Sequence, residues 1–244
     1  YKTTIRVIAN VSFQKGITLI NVDGNLDQGE KFIARAIEMS PSDVYNRFMS
    51  ELYLVRTSNV LNDTTISQTE MAQKFQSVLG VSIESAREAL SYDETNYQNH
   101  VSLGRVYEAV VPLGVQGSYE SAKAAYEGAV ALSPENPELY LLLARLVVAN
   151  KNVDAARAYI STALQKKSDY VDGIFLLSQI EIGQGRLTEA LQTVEALAIL
   201  SPNDPGVFFQ LGLLRYNQKD YAGSIQAFER AVTINPQYAN AKYF

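Results

Sequence analysis

The sequence predicts an all-α fold, a right-handed α-solenoid of helix-turn-helix repeats. Three observations carry that prediction. Pro134, Pro202 and Pro236 fall in one 34-residue register, with Ser168 standing where the missing member would be, and a fixed period of this length marks stacked helix pairs. Ahead of each of these positions the same small and bulky residues recur at helical spacing. The composition, 47% hydrophobic and 19% charged with 14 Gly and 7 Pro in 244 residues, excludes disordered and fibrous chains.

In chain order the pattern yields six units in a single domain, 1–244. The first, 10–43, is regular in its second half, with Gly29, Ile33, Ala36 and Pro41. The second, 44–96, exceeds the period by 19 residues, assigned to the polar stretch LNDTTISQ and a lengthened pair of helices. Glu51 stands there where a small residue belongs, and Glu94 where Pro does. The third, 97–136, carries His100, Leu103-Gly104 and Tyr107, then Ala122, Tyr126, Ala129 and Pro134, and its six extra residues fall in VVPLGVQGS, 110–118. Three regular units follow, 137–170, 171–204 and 205–238, and 239–244 begins a truncated seventh.

The last unit holds Phe208, Leu211-Gly212, Ser224, Phe228, Ala231 and Pro236. With its two predecessors it resembles the tetratricopeptide repeat (TPR) family, whose consensus is W-x2-L-G-x2-Y followed by A-x3-F-x2-A-x4-P. The consensus has a physical basis. The two helices of a unit cross closely, so the eighth and twentieth positions need Gly, Ala or Ser, and the large positions fill the space between units. Asn136-Pro137 and Asp204-Pro205 each put an N-cap before a Pro at the first helical position. Gly24, Gly117 and Gly185 sit in the turns between paired helices, where a left-handed residue ends a helix.

Charge and residue types exclude several classes. Against 21 Lys and Arg stand 26 Asp and Glu, a net charge of −5, which argues against a nucleic-acid partner. There is no Cys, and His100 is the one His. Disulfides, thiolate nucleophiles, histidine-based zinc sites and a Ser-His-Asp triad are thereby excluded. No phosphate loop or convergent carboxylates appear, so no catalytic residue, metal ligand or cofactor is expected. The longest apolar stretch, Leu139 to Ala149, is interrupted by Arg145 and is too short to cross a bilayer. The chain lacks an initiating Met and reads as a piece of a longer protein, which leaves a membrane span elsewhere in that protein open.

A stacked array presents a groove built mainly from first helices, the usual docking surface for a peptide or partner helix. The resemblance therefore implies recognition, with Val101, Arg105, Leu141, Arg145, Phe175, Gln179, Phe209 and Tyr216 as groove residues. None of the units has the Lys and Asn set with which TPR domains grip a chaperone's C-terminal carboxylate. Arg105 and Arg145 share the ninth position of successive units, so a separation of about 10 Å follows. They either bind an anion together or pair with acids such as Glu108 and Glu138. Phe175, Phe209 and Tyr216 are a ligand stripe or inter-repeat packing, and His100, at the consensus Trp position, is expected to be buried and structural. Asn10 and Asn62 begin glycosylation sequons, a pattern frequent by chance.

The expected function is thus that of a non-catalytic scaffold for a protein or peptide partner, with self-association through the C-terminal repeat a further possibility. One alternative is more specific. The order SPSDVYNRFMSELYL, a long insert, and then NYQNHVSLGRVYEAVVPLG is similar to soluble TPR regions of bacterial multi-spanning membrane proteins related to O-antigen ligases and polymerases. That resemblance implies an extracytoplasmic accessory domain recruiting a glycan or protein partner; otherwise the location is cytoplasmic.

Overall fold

Side-chain caps open most of the helices where the sequence places them. Asn25, Ser42, Ser67, Asn96, Asn136, Asn152, Asp204 and Asp220 each accept a hydrogen bond from a first-turn backbone N–H, satisfying donors that have no partner within the helix. The structure is a computed structural model that describes residues 2–237; the truncated seventh repeat expected at 239–244 lies outside them. The described residues contain helices and no strand, in two compact units, Tyr1–Pro134 and Glu135–Phe244. The first holds α1 (Lys2–Asn21), α2 (Leu26–Met39), α3 (Asp43–Leu61), α4 (Gln68–Tyr92), α5 (Tyr97–Glu108) and α6 (Ser118–Leu132). The second holds α7 (Pro137–Ala149), α8 (Val153–Lys166), α9 (Val171–Gly183), α10 (Leu187–Leu200), α11 (Pro205–Asn217) and α12 (Tyr221–Ile234). These are the all-α helix pairs expected from the sequence. The extra length of the second pair lies largely in α3 and α4, of 19 and 25 residues.

The crossing inside each pair shows why small residues recur. A Cβ on Gly104 would lie 2.4 Å from the Tyr126 ring, and one on Gly212 would lie 2.5 Å from the Phe228 ring. Backbones come close enough for a hydroxyl on one helix to reach a carbonyl on its partner. Ser224 donates to the Gly212 carbonyl at 2.9 Å, and Ser82 to the Ser50 carbonyl at 2.8 Å, with Ser50 donating back to the Ser82 carbonyl at 2.9 Å.

This geometry corrects the register of the first two units. Ser50, fully buried, occupies the small position against α4, so Glu51 is the following residue and faces outward. The first-helix register therefore starts at Asp43 rather than Val44, and Met49, Ser50 and Tyr53 take the consensus Leu, Gly and Tyr places. In the first pair Gly16 does the same job: a Cβ there would lie 2.9 Å from the Gly29 carbonyl oxygen. The insert forms a short 3₁₀ turn (Val111–Leu113), with Gly114 and Gly117 left-handed. Val110, at its start, is buried with Leu79 and Val106.

Between one pair and the next, the hydrophobic contacts are joined by polar links from a second helix to the following first helix. Arg56 donates to Asp27 and Glu30 at 2.6 and 2.7 Å, and Tyr53 donates to Glu30 at 2.6 Å. Burial first, and then that hydrogen bond, push the Tyr53 phenol up to about 12. Arg87 donates to the Tyr107 hydroxyl at 2.8 Å. In α9 and α11 of the second unit the eleventh consensus position is charged instead: Glu181, 5% exposed, accepts from Thr193 at 2.7 Å and pairs with Arg157 at 3.4 Å, and Arg215 pairs with Glu195 at 2.9 Å. Hydrophobic cores around Phe13, Ile33 and Met49 in the first unit, and around Val194, Leu197 and Leu211 in the second, run beneath these links.

The turns contain one cost the sequence disguises. Gly24, Gly117 and Gly185 have positive φ as expected, but in two further turns Lys151 (φ 59) and Lys219 (φ 65) hold the same conformation. Replacing Lys151 with Gly should raise stability by up to about 1 kcal/mol, the relief of left-handed strain less the extra freedom of glycine in the unfolded chain; a lowered urea midpoint would show that this strain is absent. Gly212→Ala should instead cost about 1–3 kcal/mol by driving a methyl into the Phe228 ring. Phe228→Leu added to that variant should recover part of the loss in the same denaturation assay.

Candidate functional site

With the register fixed by Gly16, Ser50 and Gly104, the ninth positions of the three first helices in the N-terminal unit are Ile17, Glu51 and Arg105. All three line clefts between those helices. One cleft, of about 340 Å³, lies between α1 and α3 and is walled by Ile17, Ile20, Leu26, Phe48, Leu52 and Val55, with Asn21 and Glu51 at its margin. The other, of about 360 Å³, lies between α3 and α5; Glu51, Leu54, Val55, Ser58, Ser102 and Arg105 are among its walls. Glu51 and Val55 belong to both, so the clefts are neighbours along one groove, mainly apolar in both parts, with Glu51, Ser58 and Arg105 adding polar groups towards α5.

A polar staple sets the spacing of the two helices that floor the second cleft. Asp43, the first residue of α3, accepts from Asn96 Nδ2 at 2.9 Å and pairs with Arg47 at 2.9 Å. Arg47 also donates to the Asn99 side chain, and the fully buried Asn99 donates to the Ala89 and Asp93 carbonyls at 3.0 and 2.8 Å. The N-terminal ends of α3 and α5 are thereby tied together through the end of α4. Burial works to raise the Asp43 carboxyl, but the hydrogen bonds it accepts from Asn96 and the Val44 backbone, with the Arg47 charge, outweigh it and hold the pKa below 3.8.

The residues read from the sequence are distributed differently. Arg105 is exposed on the wall of the α3–α5 cleft, beside Glu51 in the lining rather than in a row of arginines within its unit, while Arg145 is exposed on α7 of the other unit. Val101 is half-buried, and Leu141, at 2% exposure, is withdrawn from any partner. On the second unit's first helices Phe175 and Tyr216 are 45% and 52% exposed, and Gln179 is exposed beside them. Tyr216 stacks edge-on against Tyr221 with centroids 5.4 Å apart. Phe209 is half-buried and packs 5.5 Å from Phe228, a packing role. His100 is half-buried, with Nε2 3.2 Å from the Glu94 carbonyl oxygen and its ring over Gly128, a structural place less enclosed than expected. Ile17, Ile20 and Glu51 fall outside the groove positions of the register read from the sequence, and Gly16 and Ser50 are the signals for the correct phase; Phe48, Val55 and Ser102 line the clefts from places that the phase does not account for.

Among the described residues no group of three or more His, Asp or Glu side chains is placed to hold a metal ion. No described helix is long and apolar enough to cross a membrane.

Comparisons with known proteins agree on the repeat. Residues 116–169 and 175–239 each match a family model described as Tetratricopeptide repeat. Protein O-mannosyl-transferase TMTC1 of Homo sapiens is 29% identical over 159 residues, 62% of this chain and 18% of that protein. The chain thus spans about a fifth of the length of this curated relative. Among solved structures, Pseudomonas aeruginosa PilF aligns with 100% of this chain and 97% of its own, at a TM-score of 0.64 and 17% identity. YrrB, described as a TPR protein with an unusual peptide-binding site, aligns with 86% of this chain and 96% of its own, at a TM-score of 0.52 and 19% identity. At such identities the structural likeness establishes the fold alone.

The staple couples stability to pH. Because the folded Asp43 pKa is depressed, its contribution is present above the unfolded value near 3.8 and is lost as pH falls through the folded one. Urea midpoints measured downward from pH 5 should fall more steeply for the native chain than for Asp43→Asn; parallel curves would place the acid sensitivity elsewhere.

Proposed function

Starting from a chain whose residues 116–169 and 175–239 match tetratricopeptide repeat models, we infer that it is a non-catalytic scaffold that holds a protein or peptide segment against its first helices. The observation that carries this reading is the groove of the N-terminal unit, where two adjoining clefts are lined mainly by residues of α1, α3 and α5. Side chains that serve packing are withdrawn at the pair crossings, so what remains on the first-helix faces is available to a partner. The exposed Phe175, Gln179 and Tyr216 on α9 and α11, with Arg145 on α7, give the second unit a face of the same kind. The likeness to YrrB supports a peptide as the ligand class.

A second reading has one observation in its favour. The human relative is named a protein O-mannosyl-transferase, and the matched stretch is 18% of it; on this reading the array is an accessory part of a larger glycan-transferring protein at an extracytoplasmic membrane face. The narrower O-antigen ligase resemblance gains nothing from the relatives found. Apolar stretches of about 20 residues upstream of Tyr1 in the parent reading frame would favour an accessory part of a membrane protein, and an initiator Met directly before Tyr1 would remove it.

The scaffold reading is tested by panning a phage-displayed random dodecapeptide library against the 244-residue chain. Recurrent sequences should emerge and bind as synthetic peptides, and a charge at an exposed first-helix position, Val55→Asp or Phe175→Asp, should weaken the best of them about tenfold or more. Ile199→Asp, on the outer side of α10 at 80% exposure, should leave the affinity unchanged. A library that yields no binder, or binders sensitive only to Ile199→Asp, would overturn the reading.

A further inference from the structure

We propose that the outward face of α1 is a docking surface for an anionic lipid membrane, on which the chain rests by this one helix without crossing the bilayer. The surface is distinct from the groove, which α1 lines with Ile17 and Ile20 on its side towards α3, and it does not depend on the scaffold reading.

The first observation is an apolar strip that does no work inside the fold. Ala9, Ser12, Phe13 and Gly16 are the buried side of α1, whereas Val7, Ile8 and Val11 are 58%, 49% and 63% exposed. With about 100° of turn per residue, Thr4, Val7, Val11 and Thr18 run along the line opposite the buried side, and Ile8 borders them. The second observation is charge. Lys2, Arg6 and Lys15 are all exposed, and α1 contains no acid, although the chain as a whole carries −5. Arg6 and Lys15 fall on opposite flanks of the apolar line, Lys15 with its Nζ 4.5 Å from the centroid of the Phe32 ring. Among the described residues neither Lys2 nor Arg6 forms an ion pair.

An apolar centre with cations on both margins is the pattern of a helix that lies in a membrane interface. Val7, Ile8 and Val11 exchange water for the acyl boundary, and the long stems of Arg6 and Lys15 carry their charges sideways to the headgroup phosphates. Each cation held near an anionic leaflet adds about a fivefold preference for it. A nucleic acid would need the cations at the centre of the face, where the valines stand. A folded protein partner would find no concavity on this side of a single helix, and the Thr18 hydroxyl is already used, donating to the Gln14 carbonyl at 3.0 Å. No described helix is long and apolar enough to cross a membrane, so α1 lies on the surface.

The experiment is co-sedimentation of the 244-residue chain with vesicles of phosphatidylcholine, alone or mixed in equal parts with phosphatidylglycerol. The chain should pellet with the mixed vesicles and not with phosphatidylcholine alone, and high salt should release it. Arg6→Gln should weaken binding about fivefold, and Val7→Asp combined with Val11→Asp at least tenfold. These side chains are exposed, so the thermal melt followed by circular dichroism should stay close to that of the native chain. Ile199→Asp, in the other unit, should change nothing. Because the chain has no Trp, Val11→Trp supplies a single reporter whose emission should move to the blue on the mixed vesicles, while that of Ile199→Trp should not. A chain that fails to pellet overturns the proposal, as does one that pellets without any shift of the Val11→Trp emission, since it is then held by another surface. If light scattering without lipid shows a dimer that Val11→Asp turns into a monomer, and the vesicles pellet nothing, the face is covered by a second copy and the lipid surface is overturned.

Discussion

The distance between the two helices of a pair is the constraint on which the rest depends. At Gly104 and Gly212 the partner helix is so near that even a methyl group would meet an aromatic ring, at 2.4 and 2.5 Å. Serine replaces glycine where its hydroxyl finds a carbonyl, on the opposing backbone for Ser50 and Ser82 and on its own helix, at Phe175, for Ser178. Once that approach is set, the helical period decides everything else on the first helix. The residue after the small one faces away from the crossing, and it is this ninth position that reaches the groove as Ile17, Glu51 and Arg105.

That dependence explains how far the sequence could be read. In the regular units proline, small and aromatic residues agree at many positions, so an error of phase would have been obvious; α7 to α12 begin and end close to where the pattern puts them. In the first two units the pattern is sparse, and proline and second-helix residues alone set the phase. A connection one residue different in length then displaced the assigned first-helix register by one, which rotates every side chain by about 100°. Glu51 consequently looked like a misfit in the crossing, although it lies in the groove beside the true crossing residue, Ser50. Periodicity predicts which residues share a face; it identifies the face only after one contact is known.

The eleventh position illustrates a different limit. Tyr53 and Tyr107 keep the consensus residue and bond to neighbouring second helices through the phenol oxygen, whereas Glu181 and Arg215 form ion pairs there, of opposite polarity in successive units. Sequence alone presents these as departures from the consensus. In the structure they do the same work with a different chemistry: a polar contact between a second helix and the next first helix, in which Glu181 is buried, so that loss of Arg157 would leave its charge uncompensated, while the Arg215–Glu195 pair stays partly open to solvent. Such pairs add little net attraction over an apolar replacement, but opposite charges at equivalent places disfavour pairing a helix with the wrong neighbour. Repeats that are alike in their hydrophobic positions are thus made distinguishable at their seams.

The same accounting of polar groups separates the groove from the packing around it. The seams and crossings use their hydroxyls and most of their buried guanidinium donors, and the staple at Asp43 uses both side-chain amides that reach it. Ser102 Oγ departs from this economy, and it does so on the wall of a cleft rather than in the core. A buried hydroxyl left over inside a tight crossing would be a defect that any apolar substitution repairs. At Ser102 the remedy lies within the helix, because a rotation about χ1 turns the hydroxyl towards the Gln98 carbonyl one turn back, so this leftover donor is settled by its own backbone and the cleft beside it keeps mainly apolar walls.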